Sequence, residues 1–342
     1  MAKLTVQEIR EIVATKIPAG LIVPRHTDEA HYYEHTPSGI VAASITTKSG
    51  IIDVPHLKVW AAKLATEHID KNWEVLKDAS VEQRSLIFKA AVLVHRDQFY
   101  EAGAVGTAGH KVIEKYLLDW IAKGEKPRDI TAYIDGDDAR LWAIARSAEQ
   151  FINDFEAEPI VSEQLVFSVR HKAGGTLDAL MMVSKVIKEG TKPPDLFDGK
   201  ECVHLYYAMS MRNPRHLMCG HCGREVMRVF ALIDWKTANS VDKPDYAIQG
   251  STYDKCLKEL TGLKTEEILI VRLDKDRKQY EVVRVVDRTA AFKAYTHIAK
   301  VWDWMSDGKE KIQKMNPRPK VYIGSSELAK PIKSGIQYQD VK

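Results

Sequence analysis

The chain has 342 residues, of which 45% are hydrophobic and 28% charged, a composition suited to one large packed core or two ordinary ones. A formal net charge of +3 excludes a globally cationic coat for nucleic acid, though not a local basic groove. No apolar run reaches membrane-spanning length, and the opening MAKLTVQEIREIV carries acids and no apolar signal core, so a soluble, cytoplasmic protein with no membrane partner is expected.

Residues 1 to 58 read as short elements broken by Pro18, Gly20, Pro24, Pro37, Gly39, Gly50 and Pro55, with GIVAASITT strand-like. From Pro55 the spacing turns helical, with Leu57, Trp60, Ala61, Leu64 and Ala65 on one face. Ser80 and Gln83 form a capping box that opens another helix. Further helices are predicted from Thr107 to Lys123, closing at Gly124, and from Asp138 to Glu156. Residues 1–100 are therefore expected to form a helical region packed on the core. After Pro159 the pattern changes to strands in SEQLVFSVR, GGTLDALMMVS and REVMRVFALIDWKT. A helix from Pro244 to Gly262, a hairpin around Asp274 to Lys278 and a closing helix in TAAFKAYTHIAKVWDWM complete an α/β order. The Pro- and Lys-rich segment 316–342 reads as a flexible basic tail.

Side chains alternate faces along a strand, so in ALIDWKT the carboxylate of Asp234 and the amine of Lys236 point the same way while Trp235 points into the core. Alone, such a pair also fits an ordinary surface ion pair. Asp178, in AGGTLDAL, lies on a strand entered through Gly174 and Gly175. An acid between Leu177 and Ala179 is costly to bury unless it is paired or metal-bound, although a solvent-facing acid fits as well. In GTAGHKVIEKYLLDWI, His110 and Glu114 share a stripe with Ile113, Leu117 and Ile121, where His110 reads either as a core histidine or as a ligand; Gly106 and Gly109 permit another element to approach. Gln249 and Tyr253 sit at i and i+4 on the helix of YAIQGSTYDKCL, together with Cys256, and fit either phosphate contact or plain helix packing.

The four cysteines are Cys202, Cys219, Cys222 and Cys256, and without a secretory signal they point to metal rather than to disulfides. Cys202-x-His204 followed by Cys219-x-x-Cys222 in a CGHCGR turn resembles a zinc ribbon, with His216 and His221 as competitors for the histidine position. Zn²⁺ is expected in a structural role in an insertion at 196–226, with a DNA contact through Arg212, Arg215 and Arg224. Cys256 is assigned to the core.

Taken in order, GTAGHKVIE, GGTLDAL, LIDWKT and IQGSTY resemble the PD-(D/E)XK nuclease superfamily, specifically its RecB-like clade, and SGIVAASITTKSGIIDVPHLKVWAAKLA is similar to the leader of phage-type exonucleases of that clade. The resemblance covers roughly residues 35 to 305. It implies a restriction-endonuclease-like core over 101–310 with a mixed central sheet flanked by helices. It implies that His110, Asp178, Asp234 and the Trp235 backbone carbonyl hold Mg²⁺ or Mn²⁺, that Lys236 positions or deprotonates the attacking water, that Gln249 and Tyr253 hold the DNA strand, and that Glu163 matches a frequently acidic position. A lysine beside a bound cation sits near positive charge, which lowers its pKa. The cysteines do not follow the arrangement that holds an iron–sulfur cluster in some relatives. The implied activity is metal-dependent DNA hydrolysis, exonucleolytic, in phage or bacterial replication, recombination or repair. The implied partners are single- or double-stranded DNA and a recombinase, single-strand-binding or other replication protein, in the bacterial host cytoplasm. The alternatives are an inactive zinc-ribbon DNA-binding or regulatory protein on a nuclease-like fold, and a restriction-type endonuclease.

Overall fold

The computed structural model describes residues 4–27, 30–52, 55–190, 202, 204–211, 213–241 and 243–307; the expected tail at 316–342 lies outside them. In chain order the elements are α1 (Val6–Lys16), β1 (Ile22–His26), β2 (His31–His35), β3 (Ile40–Ala43), α2 (Ile45–Ser49), α3 (Pro55–Lys71), α4 (Trp73–Asp78), α5 (Val81–Lys123), a 3-10 turn (Ile130–Tyr133), α6 (Ala139–Asp154), β4 (Glu158–Ser168), β5 (Ala173–Lys188), β6 (Tyr206–Ala208), β7 (His216–Cys219), β8 (Glu225–Lys236), α7 (Pro244–Thr261), β9 (Glu267–Leu273), β10 (Tyr280–Arg284) and α8 (Arg288–Asp307). Met1–Ala299 form one compact unit, so the N-terminal region is not a separate one; a second unit begins at Lys300.

The protein is α/β. Its main sheet has seven strands in the order β10-β9-β8-β5-β4, with the β6–β7 hairpin joined through β7 to the start of β8. The sheet is mixed. β8 and β9 run parallel and are linked through α7, as parallel neighbours require, whereas the other pairs are antiparallel. Central strands of such a sheet bury both faces. On β8, Phe230 and Leu232 pack with α1, α7, α8 and the small β1-β2-β3 sheet, while Ala231, Ile233 and Trp235 pack with α5 and α6.

Two expectations change. The helices predicted on either side of Gly103 and Gly106 are one 43-residue helix, α5, capped by Ser80 and Gln83 at one end and by Gly124 in the left-handed conformation at the other. Each interior glycine costs about 1 kcal/mol of helix propensity relative to alanine. Two of them also allow close packing. A Cβ on Gly106 would meet the Thr237 hydroxyl at 2.8 Å, and one on Gly109 would meet Ile144 at 2.9 Å. Gly109→Ala is therefore expected to lower stability by about 1–3 kcal/mol through overpacking despite its better propensity; an unchanged or raised urea midpoint would show that Ile144 yields. The second change is that residues 1–100 are not purely helical. β1, β2 and β3 form an antiparallel sheet; β3 lies in the strand expected from GIVAASITT, while on β2 Tyr33 is buried between half-buried neighbours, so the alternation there is too weak to read.

Candidate functional site

Strands β5 and β8 bring the acids together. Ala179 faces Ile233, so Asp178 and Asp234 are the next residues outward on the two strands. The Trp235 N–H donates to Asp178 Oδ2 at 2.7 Å, and the Trp235 ring is buried edge-on to Phe151. Asp234 is fully buried, and neither of its oxygens accepts a well-aligned hydrogen bond. Its Oδ2 lies 2.7 Å from Lys236 Nζ. Burial pushes the Asp234 carboxyl up to about 7, against the attraction of Lys236 and with the repulsion of Asp178. Lys236 is held above the ordinary lysine value. Burial pulls it down, but the carboxylates of Asp234 and Asp178 outweigh burial.

His110, on α5, places Nδ1 3.8 Å from Asp178 Oδ2. Among the described residues, His110, Glu163 and Asp178 form a group whose ligand atoms all lie within 4.8 Å of one another. His110 and Asp234 each adjoin Asp178, and Glu163 stands in the close group with His110 and Asp178. Glu163 reaches the group through a backbone irregularity. It lies between the paired residues Ser162 and Gln164, opposite Asp178, with φ +50°, a conformation that costs a non-glycine residue about 1–2 kcal/mol. Burial raises its carboxyl to about 8, reinforced by the charges of Asp178 and Glu114 and opposed by Lys111.

Helix α7 closes the other side. Lys236 Nζ donates to Gln249 Oε1 at 3.2 Å, and Gln249 Nε2 donates to the Tyr253 hydroxyl at 3.0 Å. Tyr253 is 4% exposed and lies so close under Gly175 that a Cβ there would meet its Cε1 at 2.5 Å. Tyr253 therefore buttresses Gln249 from within the core. Tyr246, absent from the sequence-derived set, sits with its ring centroid 5.0 Å from Lys236 Nζ, a cation–π distance. Its i, i+3 spacing from Gln249 was the available signal.

A second cluster lies around the β6–β7 hairpin. Cys202, His204, Cys219 and Cys222 place their ligand atoms within 4.8 Å of one another and can hold a zinc-like ion. His216 is committed elsewhere, 3.1 Å from Glu225, and His221 is outside the group. Cys256 is buried in the core, as expected. Of the arginines expected to contact DNA, two have protein partners. Arg215 is buried and binds the Leu4 carbonyl and Glu266, at 2.6 Å from the latter, while Arg224 binds His204 and Glu156; Arg212 lies outside the described residues.

No protein-family model and no curated protein matches the chain. None of its described helices is long and apolar enough to cross a membrane.

Proposed function

We propose that the chain is a metal-dependent DNA nuclease of the PD-(D/E)XK superfamily and RecB-like clade, acting as an exonuclease. The observation that carries this reading is the juxtaposition of Asp178 and Asp234 on adjacent strands with Lys236 2.7 Å from Asp234. A fully buried carboxylate with an oxygen that accepts nothing, beside a second carboxylate, is a costly arrangement unless a cation joins it. Hard oxygen donors with one imidazole suit Mg²⁺ or Mn²⁺; His110, Glu163 and Asp178 are the residues that would hold it, with Asp234 beside Asp178 on the neighbouring strand. Bound there, the cation would offset the charge of the scissile phosphate and make a water more acidic.

The chain's own groups do the rest. Lys236 presents a fixed ammonium to the negative charge that develops as the phosphodiester is attacked, and orients the water that attacks it. Gln249 holds that ammonium from α7, and Tyr253 holds Gln249. The Trp235 N–H fixes the Asp178 carboxylate. Purified protein with Mg²⁺ is expected to release label from end-labelled linear DNA and to leave closed circular DNA intact, with EDTA stopping release. No release from single- or double-stranded DNA with either Mg²⁺ or Mn²⁺ would refute the proposal, and cutting of circles would make the enzyme an endonuclease.

A further inference from the structure

We infer that Cys202, His204, Cys219 and Cys222 hold one tetrahedral Zn²⁺ as a closed structural centre, and that this ion fastens the β6–β7 hairpin to the start of β8. The inference does not depend on the nuclease reading.

The ligand spacing carries it. Zinc bonds of about 2.3 Å to sulfur and about 2.0 Å to nitrogen, at tetrahedral angles, require ligand atoms separated by about 3.8 Å for two sulfurs and about 3.5 Å for sulfur and nitrogen. The Cys202 and Cys219 sulfurs are 3.9 Å apart, and Cys222 Sγ is 3.5 Å from His204 Nδ1. Three thiolates and an imidazole are soft or borderline donors, which selects Zn²⁺ over the hard Mg²⁺ or Ca²⁺. Four protein ligands leave no open position, so the centre holds structure rather than activating water.

The surroundings are built around the sulfurs. The Cys219 N–H donates to the Arg224 carbonyl at 2.8 Å and the Gly223 N–H to the Cys219 carbonyl at 2.9 Å, closing a tight turn in which Gly223 has φ +69°. A Cβ on Gly190 would meet Cys222 Sγ at 2.6 Å, so backbone packs directly on that thiol. The His204 ring is fixed from behind. Tyr206 stacks on it at 5.4 Å, and Nδ1 faces Cys222. Tyr206 in turn donates to Glu156 at 2.8 Å, just beyond the end of α6.

The hairpin needs such a fastening. β6 has three residues and β7 four, and Leu205, Tyr207, Met209 and Met218 are exposed, so it buries little of its own. Its tie to the main sheet is the short pairing of β7 with β8 from His216 to Met218, and a structural metal adds folding free energy to that directly. The same strand, β8, carries Asp234 nine residues beyond Glu225, roughly 30 Å away at about 3.3 Å per residue. The ion is therefore remote from the acid site.

Metal analysis of reduced full-length protein, purified without chelator, is expected to give close to one zinc per chain, retained in excess Mg²⁺. Replacement by Co²⁺ is expected to give the visible absorption of a tetrahedral thiolate site. Cys219→Ser and Cys222→Ser should lose the metal and melt at lower temperature, whereas Cys256→Ser, buried elsewhere, should keep it. Wild-type protein that contains no zinc and takes up neither Zn²⁺ nor Co²⁺ would overturn the inference, even if the cysteine variants fail to fold. A full zinc complement in folded Cys219→Ser would overturn it as well.

Discussion

Lys236→Ala is expected to lower Mg²⁺-dependent DNA cleavage by about 10²–10³-fold or more, the usual effect of removing one preorganised group that stabilises developing negative charge. The amine is well placed for that role. It is 2.7 Å from Asp234, 3.2 Å from Gln249 and over the Tyr246 ring, so three elements of its surroundings fix where its charge sits. The variant should also lose stability, because breaking a buried ion pair typically costs about 3–5 kcal/mol. The observed loss should be smaller, since the Asp234 carboxyl, already raised to about 7, takes a proton when its partner is gone. Lys236→Arg separates charge from position. It keeps the cation but cannot place a compact ammonium between Asp234 and Gln249. Single-turnover rates on end-labelled duplex, read beside urea midpoints, resolve the two effects. A Lys236→Ala protein that folds and cleaves at the wild-type rate would remove the amine from the chemistry.

The parts of this site that could be read in the sequence are those set by strict local periods. Strand alternation put Asp234 and Lys236 on one face, and they are ion-paired on β8. Helical spacing put Gln249 and Tyr253 on one face, and they are hydrogen-bonded on α7. Cap chemistry placed Ser80, Gln83 and Gly124 at the ends of a helix. What escaped depends on non-local geometry. Glu163 was named only through the family resemblance; that it joins His110 and Asp178 turns on its backbone at φ +50°, which no local residue pattern announces. Arg215 looked like a surface cation, but its partner Leu4 is 211 positions away, and only the fold brings the two together. Gly103 and Gly106 looked like a break in α5. Tertiary contacts decided otherwise, since the space that Gly106 leaves is taken up by Thr237 just past the end of β8. The acid cluster was therefore legible as residue types in order, and its partition into a His110–Glu163–Asp178 group and an Asp234–Lys236 pair was not.

Two substitutions at Asp178 are expected to divide its structural duty from its chemical one. Oδ2 accepts the Trp235 N–H at 2.7 Å, the bond that ties β5 to β8 at the candidate site. Asp178→Ala removes the acceptor and strands a part-buried N–H, at a cost of about 1–3 kcal/mol. Asp178→Asn keeps an oxygen in nearly the same place and removes only the charge, so its urea midpoint should stay at or above that of the wild type. A gain is reasonable physically, because Asp178 repels both Asp234 and Glu163 and raises their carboxyls. If the acid exists to hold a divalent cation, both variants should lose cleavage and Mn²⁺ binding, even though one is as stable as the parent. An acid whose only task is to accept the Trp235 N–H predicts the reverse for Asp178→Asn, namely intact stability with intact cleavage. The asparagine variant thus decides between a carboxylate placed for strand pairing and one placed for a cation.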